Sequence, residues 1–341
     1  MRQRIVCFGE VLLRLSAPGR ERLLQSGRLE ACVGGAEANV AVSLARFGHD
    51  AAMVGRIADN ALGRAAAGEL RRHGVDVAAL LPGPGRQGLY FLTPGAGQRP
   101  SEVLYDREAS AFATQPPAPA DWAGLLAGAA WLHVSGVTPA LGQACADATL
   151  AAMRAARASG IRVSMDGNFR PSLWARWPGD PRAILGGLFA EADLLFADAR
   201  DIALVLEPGA EAGAVDPVER FFLAAGRAFA AFPALQRMVA TVRRTDSSDE
   251  HALGAVLADR DGGQHRLPPQ AVTGIVDRIG AGDAFAAGVL HGILEGLGDA
   301  ASLRFGLAAA VLKHSIPGDF NLVDIGEVEA LVAGGSSDVK R

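Results

Sequence analysis

The residues best suited to chemistry lie near the C-terminal end, in Val276-Asp277-Arg278-Ile279-Gly280-Ala281-Gly282-Asp283-Ala284-Phe285-Ala286-Ala287-Gly288. A β-rich approach over 272–276 leads to a turn that small residues make tightly, and an apolar helix then runs on through Leu290 and Ile293. At such a turn the N–H groups of Gly280, Ala281 and Gly282 have no helical partners and are expected to face an anion, which the helix dipole favours. Asp283, in the first helical turn beside them, is placed to accept a proton from an attacking hydroxyl, so the chemistry implied is phosphoryl transfer. The same carboxylate also suits a plain helix start, where it would only satisfy free N–H groups.

Four further clusters carry polar groups at turns. Gly34-Gly35 opens an Ala-rich helix with Asn39 one turn in, which reads either as an ordinary helix entry or as close ligand approach with an amide for a hydroxyl. Tyr90 and Tyr105 are the two tyrosines of the sequence, and Arg107 falls on the strand face of Tyr105. Phenol hydroxyls and a guanidinium fork suit a polar ligand with a carboxylate; amphipathic aromatics at a subunit interface are the alternative. Asp166-Gly167-Asn168-Phe169-Arg170-Pro171 follows a strand, where ligands bind in parallel sheets. Asp198 and Asp201 lie on one face of a starting helix, either capping it or organising a divalent metal through water.

Positioning these residues requires alternating elements. Strands are expected at 5–8, 51–56, 75–81, 131–135, 161–165, 194–197 and 238–242, with helices over 62–73, 141–158, 183–189, 217–232 and 300–312 between or after them. Such alternation predicts an α/β fold: a doubly wound, mostly parallel sheet with helices on both faces. Short apolar pieces at 11–33 and strand-like pieces around Pro94-Gly95-Ala96-Gly97 at 87–115 form two excursions, read together as a small β lid. The core then comprises 1–10, 34–86 and 116–333, with a stiff connector at Pro116-Pro117-Ala118-Pro119, a loop at 207–216, a polar turn at 243–250, an antiparallel edge pair at 253–257 and 264–267, and a frayed tail at 334–341.

Half of the 341 residues are hydrophobic, enough for a large core, and 33 basic against 37 acidic residues give a net charge of −4, which argues against nucleic acid as a partner. Cys7, Cys32 and Cys145 are widely spaced in apolar surroundings and read as reduced core thiols, not as a disulfide or metal framework. The opening apolar run is too short for a signal peptide and no run approaches a membrane span, so a cytoplasmic protein is expected.

In order and spacing, Gly34-Gly35 with Asn39, Asp166 with Asn168 and Arg170, and Gly280-Ala281-Gly282-Asp283 resemble the ribokinase superfamily (phosphofructokinase-B type) of carbohydrate kinases over nearly the whole chain. Gly88-Leu89-Tyr90-Phe91-Leu92, Gln98-Arg99-Pro100-Ser101, Tyr105-Asp106-Arg107, His133-Val134-Ser135-Gly136 and Lys313-His314-Ser315-Ile316-Pro317-Gly318-Asp319-Phe320-Asn321 are similar to the 2-keto-3-deoxygluconate kinases within it.

The resemblance implies ATP-dependent phosphorylation of the terminal hydroxyl of 2-keto-3-deoxygluconate, with Asp283 as base, Gly280 to Gly282 as anion hole and Arg170 at the transferring phosphate. It implies that Gly34, Gly35 and Asn39 hold substrate hydroxyls, that Tyr90, Tyr105 and Arg107 bind the keto-acid end, and that Asp319 stands on the substrate side. Asn168, Asp198, Asp201 and Arg243 fall on the nucleotide side, Mg2+ would accompany ATP, related kinases often bind a monovalent cation beside the anion hole, and lid strands often clasp into dimers or larger even assemblies. The chain departs from the superfamily pattern in having Asp198 and Asp201 where many members carry Asn and Glu, and Arg243-Arg244-Thr245-Asp246-Ser247-Ser248 where a Gly-containing turn is usual. A kinase for fructose or a ketodeoxy-galactonate is the near alternative, and a catalytically silent sugar-binding regulator the distant one. A Rossmann dehydrogenase conflicts with the lack of Gly-x-Gly-x-x-Gly after the first strand.

Overall fold

Ile5, Val6, Cys7 and Phe8 are fully buried, as expected of a strand covered on both faces, and this strand stands inside the main sheet with a neighbour on each side. The computed structural model describes residues 3–117, 122–206 and 216–334. Its strands are β1 Arg4–Phe8, β2 Leu12–Ser16, β3 Glu30–Gly34, β4 Asp50–Ala58, β5 Leu80–Gly83, β6 Leu89–Thr93, β7 Glu102–Asp106, β8 Ala129–Ser135, β9 Arg162–Asp166, β10 Leu194–Phe196, β11 Arg237–Thr245, β12 Glu250–Asp259 and β13 Gln264–Thr273. A nine-stranded sheet runs β13-β12-β11-β10-β9-β8-β1-β4-β5, parallel from β5 through β11 and antiparallel at its β12 and β13 edge. From β1 the chain winds one way through β4 and β5, then crosses to β8 and winds the other way. The switch point between β1 and β8 is where a sheet of this kind opens a crevice for ligands.

Helices cover both faces. One layer of the core joins Ala36–Arg46 and Ala61–Arg72 with Ala281–Leu294 and Asp299–Lys313; the other joins Gln143–Ala158, Pro181–Phe189 and Pro217–Ala231. Small side chains let these helices lie close to the sheet: Ala148, Ala152 and Ala156 recur every fourth residue on the buried side of one of them. Among the described residues no helix is long and apolar enough to cross a membrane.

The two excursions form a separate four-stranded sheet, β3-β2-β6-β7, in which β2 and β6 run parallel and the outer pairs antiparallel. Its own apolar cluster is small, Leu12, Tyr90 and Leu92 with Tyr105 and Ile279 against it. The helix Ala111–Thr114, at the end of the second excursion, returns to the main sheet beside β4 and β5.

Several element boundaries differ from the sequence expectation for local reasons. The strand expected at 75–81 is only Leu80–Gly83, because the Asp76 side chain accepts from the Ala78 N–H and turns the chain first. Arg243 to Thr245 are not turn but the end of β11, since β12 offers backbone partners as far as His251 opposite Thr245. The approach to residue 280 leaves the sheet at Thr273, and the helix expected from 141 starts at Gln143 after a short turn, Pro139–Leu141. The loop expected at 207–216 lies outside the described residues except Asp216, as do 118–119 of the connector and 335–341 of the tail.

Candidate active site

The helix Ala281–Leu294 begins at Gly280, whose φ of 81° is left-handed, and a side chain there would lie 2.0 Å from the Asp319 carbonyl oxygen. Both facts restrict the position to glycine. The Ala281 N–H reaches back to the Arg278 carbonyl at 3.3 Å, which takes it out of the set of free donors expected there. Among the described residues the N–H groups of Gly280, Gly282 and Asp283 make no backbone hydrogen bond. The donors free to face an anion are therefore those of Gly280, Gly282 and Asp283, at the positive end of the helix.

Asp283 stands half-buried in the first turn, and Asn39 Nδ2 donates to its Oδ2 at 2.7 Å. Two helix starts far apart in sequence are joined by this bond. Asn39 Oδ1 is buried and has no protein partner among the described residues, so it is open to a ligand hydroxyl. Burial pushes the Asp283 carboxyl up to about 6; Asn39 lowers it, Asp319 raises it, and Arg170 and Lys313 lower it. A carboxylate in that range is suited to general base catalysis near neutrality.

Around Asp283 lie carboxyl groups that the sequence did not single out or did not place. Glu37 is buried, accepts from Thr138 Oγ1 at 2.6 Å and the Ser135 N–H at 3.2 Å, and is pushed up to about 7 by burial, which the Thr138 bond opposes. Asp166, at the end of β9, is raised to about 8 by burial and Asp283, with Arg170 opposing. Asn168, at a left-handed φ of 40°, donates from Nδ2 to Ser135 Oγ at 2.9 Å, which closes the ends of β8 and β9. Arg170 is exposed beside Asp166, Asp201 and Asp283 and lowers all three.

Asp198 and Asp201 form a reciprocal cap. The Asp198 N–H donates to Asp201 Oδ2 at 3.0 Å, Asp198 Oδ1 accepts from the Arg200 N–H at 2.7 Å, and Asp198 Oδ2 pairs with the Arg200 guanidinium. Capping occupies Asp198. Asp201, raised to about 6 by burial and Asp198, still acts electrostatically on Asp166. Arg243 lies exposed near the end of β11 with Arg278 close enough to act on it.

On the lid side the residues bond to one another first. Tyr90 and Tyr105 face across β6 and β7 with ring centres 6.3 Å apart. The Tyr90 hydroxyl donates to Asp319 at 2.6 Å, and Arg14 bridges Asp319 at 3.1 Å and Asp277 at 2.7 Å, which binds the lid to both loops under Gly280. Gly34 is required by proximity: a Cβ there would fall 2.0 Å from Asp319 Oδ2. At Gly35, the helix N-cap, a Cβ would meet the Glu10 carbonyl oxygen at 2.3 Å.

The Tyr105 hydroxyl makes no hydrogen bond among the described residues. Arg107 corrects a simpler expectation: it is 3% exposed, and Nε and Nη2 are held by Glu10 at 2.8 and 2.7 Å, so among the described residues Nη1 alone of its nitrogens has no partner. Arg14 and Glu37 escaped the sequence reading of the site, and Asp277 and Lys313 stood in its motifs without a role of their own. The one local signal was Arg14, a charge inside the apolar strand Leu-Leu-Arg-Leu-Ser.

Residues 2–321 match the pfkB family carbohydrate kinase profile. Over 341 residues the chain is 35% identical to a 2-dehydro-3-deoxygalactonokinase of Haloferax volcanii, covering 100% of each chain. It is 30% identical over 322 residues to a 2-dehydro-3-deoxygluconokinase of Bacillus subtilis, covering 93% of this chain and 91% of the other. The crystal structure of a 2-dehydro-3-deoxygluconokinase from Thermotoga maritima superposes with a TM-score of 0.90 at 36% identity, covering 98% of this chain and 100% of that one. With a family match that spans the sheet, the lid and the Gly280 turn alike, the chain belongs to the pfkB family of carbohydrate kinases.

Proposed function

We propose that the chain phosphorylates the terminal hydroxyl of 2-keto-3-deoxygluconate at the expense of ATP, giving the 6-phosphate. The observation that carries the mechanism is the Asn39 to Asp283 bond at the mouth of an uncapped helix. Asp283 takes the hydroxyl proton, the freed oxygen attacks the γ-phosphorus, and the phosphorus–oxygen bond to ADP breaks. Charge on the transferring group is met by the N–H groups of Gly280, Gly282 and Asp283 and by Arg170.

Asn39 and the Gly34-Gly35 backbone hold the sugar hydroxyls. Tyr105 and Arg107 Nη1 receive the keto-acid end, and Asp319 with Tyr90 shapes the wall beneath. Asp166 and Asp201, with carboxyls raised by burial and by neighbouring carboxylates and only partly offset by Arg170, are crowded acids that a cation would relieve, and they would hold Mg2+ with their protons released. When bound, Mg2+ supplies neutralisation of the nucleotide phosphates. Asn168 and Arg243 border the nucleotide side.

Three free thiols suit the reducing cytoplasm, and exposed Leu29, Val103 and Leu104 at the lid suit pairing of lid sheets into a dimer or larger even assembly. The Haloferax relative's name supports a second reading, in which the galacto epimer is the preferred acid. The catalytic machinery is the same in both.

A coupled ADP-release assay with Mg-ATP across both keto-deoxy acids, fructose and ribose tests the proposal. Highest kcat/KM on a keto-deoxy acid is expected; preference for a neutral sugar would overturn the substrate assignment. Within it, Tyr105→Phe should raise KM for the acid about threefold to thirtyfold, the effect of one lost ligand hydrogen bond, and leave KM for ATP unchanged. Tyr90→Phe differs: loss of the Asp319 partner should lower thermal stability as well.

A further inference from the structure

Lys313 ends the helix Asp299–Lys313, where a lysine ordinarily reaches into solvent and complements the dipole. Here it is 0% exposed, and an ammonium is almost never buried so completely without dedicated partners. Its Nζ donates to the Ile316 carbonyl at 3.0 Å and the Asp277 carbonyl at 3.4 Å. Its Cε lies 3.4 Å from where a side chain on Gly280 would begin. The charge therefore sits directly behind the turn whose N–H groups form the anion hole.

The surroundings are balanced around that charge. Asp277 holds the Ile279 N–H at 2.9 Å and the Gly318 N–H at 3.1 Å, and the His314 carbonyl accepts from the Val276 N–H at 2.8 Å, so two loops are laced together with Lys313 between them. Asp277 and Asp319 are the anions of the cluster; Arg14 and Lys313 are its cations. Burial lowers the Lys313 pKa, and the Asp277 and Asp319 carboxylates oppose that and favour the ammonium, whose N–H groups the Asp277 and Ile316 carbonyl oxygens accept.

We infer that Lys313 is a tethered monovalent cation, which fixes the 277–280 turn against the 316–319 loop and lends its field to the anion hole. A free monovalent ion beside the anion hole, as the superfamily resemblance implies, does not fit behind this turn: the Asp277 and Ile316 carbonyl oxygens there already accept from Nζ, and a second cation would meet the ammonium. Lys313 acts through the turn and is a positioning residue.

The inference rests on Gly280 to Asp283 being the anion hole of the kinase, and its test separates the two. Wild-type kcat should be the same within about twofold in potassium, sodium and tetramethylammonium chloride of equal ionic strength, and so should the melting temperature. Lys313→Ala should lose kcat by about a hundredfold with KM for the sugar acid little changed, and about a tenth or more of wild-type kcat should return with methylammonium, ammonium or potassium but not tetramethylammonium. The same small cations should raise the variant's melting temperature and not the wild type's. Activation of the wild type more than about tenfold by potassium overturns the inference, as does a folded Lys313→Ala with full kcat or with losses no small cation repairs. If Lys313→Ala does not fold, the wild-type salt series still decides, and Lys313→Met offers a variant that keeps the buried stem. Absence of ADP release on every sugar defeats the functional reading instead, and the melting series then decides the cation question alone.

Discussion

Asp283→Asn is expected to fold, to bind sugar acid with nearly unchanged affinity, and to lose kcat by about two to four orders of magnitude, the scale of a removed general base. The geometry makes this substitution clean, because the asparagine Oδ1 can still accept from Asn39 Nδ2, which now reaches Asp283 at 2.7 Å. The base alone is removed. Wild-type kcat/KM should fall below a pH near 6, where burial places the Asp283 carboxyl, and that acid limb should vanish in the variant.

Stability supplies an independent sign. A carboxyl raised to about 6 in the folded chain favours folding when protonated, and that contribution is lost as pH rises through the folded value. At pH 8 the wild type therefore carries a charge that burial opposes, and Asp283→Asn should melt at the same temperature or higher, with the gain shrinking toward pH 5. A helix cap predicts the reverse, a loss of about 1 kcal/mol and little kinetic change. Stopped-flow and steady-state kinetics with thermal melts at both pH values discriminate these outcomes; near-wild-type kcat removes Asp283 from the proposed role.

How much of this was legible in the sequence follows the range of the interactions. The Gly280 turn, the Asp198 and Asp201 cap, the Gly34-Gly35 helix entry and most strands rest on local backbone geometry and hydrophobic period, which a sequence displays directly. The pairing of Asn39 with Asp283 or of Arg14 with Asp277 spans more than two hundred residues and depends on how the sheet winds, which no local pattern encodes. Lys313 at the end of a mostly apolar helix reads as a charge that complements the helix dipole, and only the return of the chain through Ile316 to Asp319 buries it. Boundaries failed where pairing overrode propensity: Arg243, Arg244 and Thr245 look like turn residues, yet β12 lies opposite them and holds them extended.

Arg107→Met is expected to cost about 2 to 5 kcal/mol in apparent transition-state binding of 2-keto-3-deoxygluconate and little for fructose, because the charge it offers matters only to the acid. The buried pair with Glu10 complicates the single variant. Both side chains are almost inaccessible, at 3% and 1%, so removal of the arginine also strands the Glu10 carboxylate, and breaking such a pair costs about 3 to 5 kcal/mol of stability. Glu10→Gln with Arg107→Met removes both charges together. The double variant should regain much of the lost melting temperature while its ratio of kcat/KM for the acid over fructose stays low. Were that ratio to return to the wild-type value along with the melting temperature, Arg107 would hold the lid through Glu10 and nothing more, and recognition of the acid would have to come from another group. A wild type that prefers fructose outright would dismiss the sugar-acid assignment and leave the carbohydrate kinase standing.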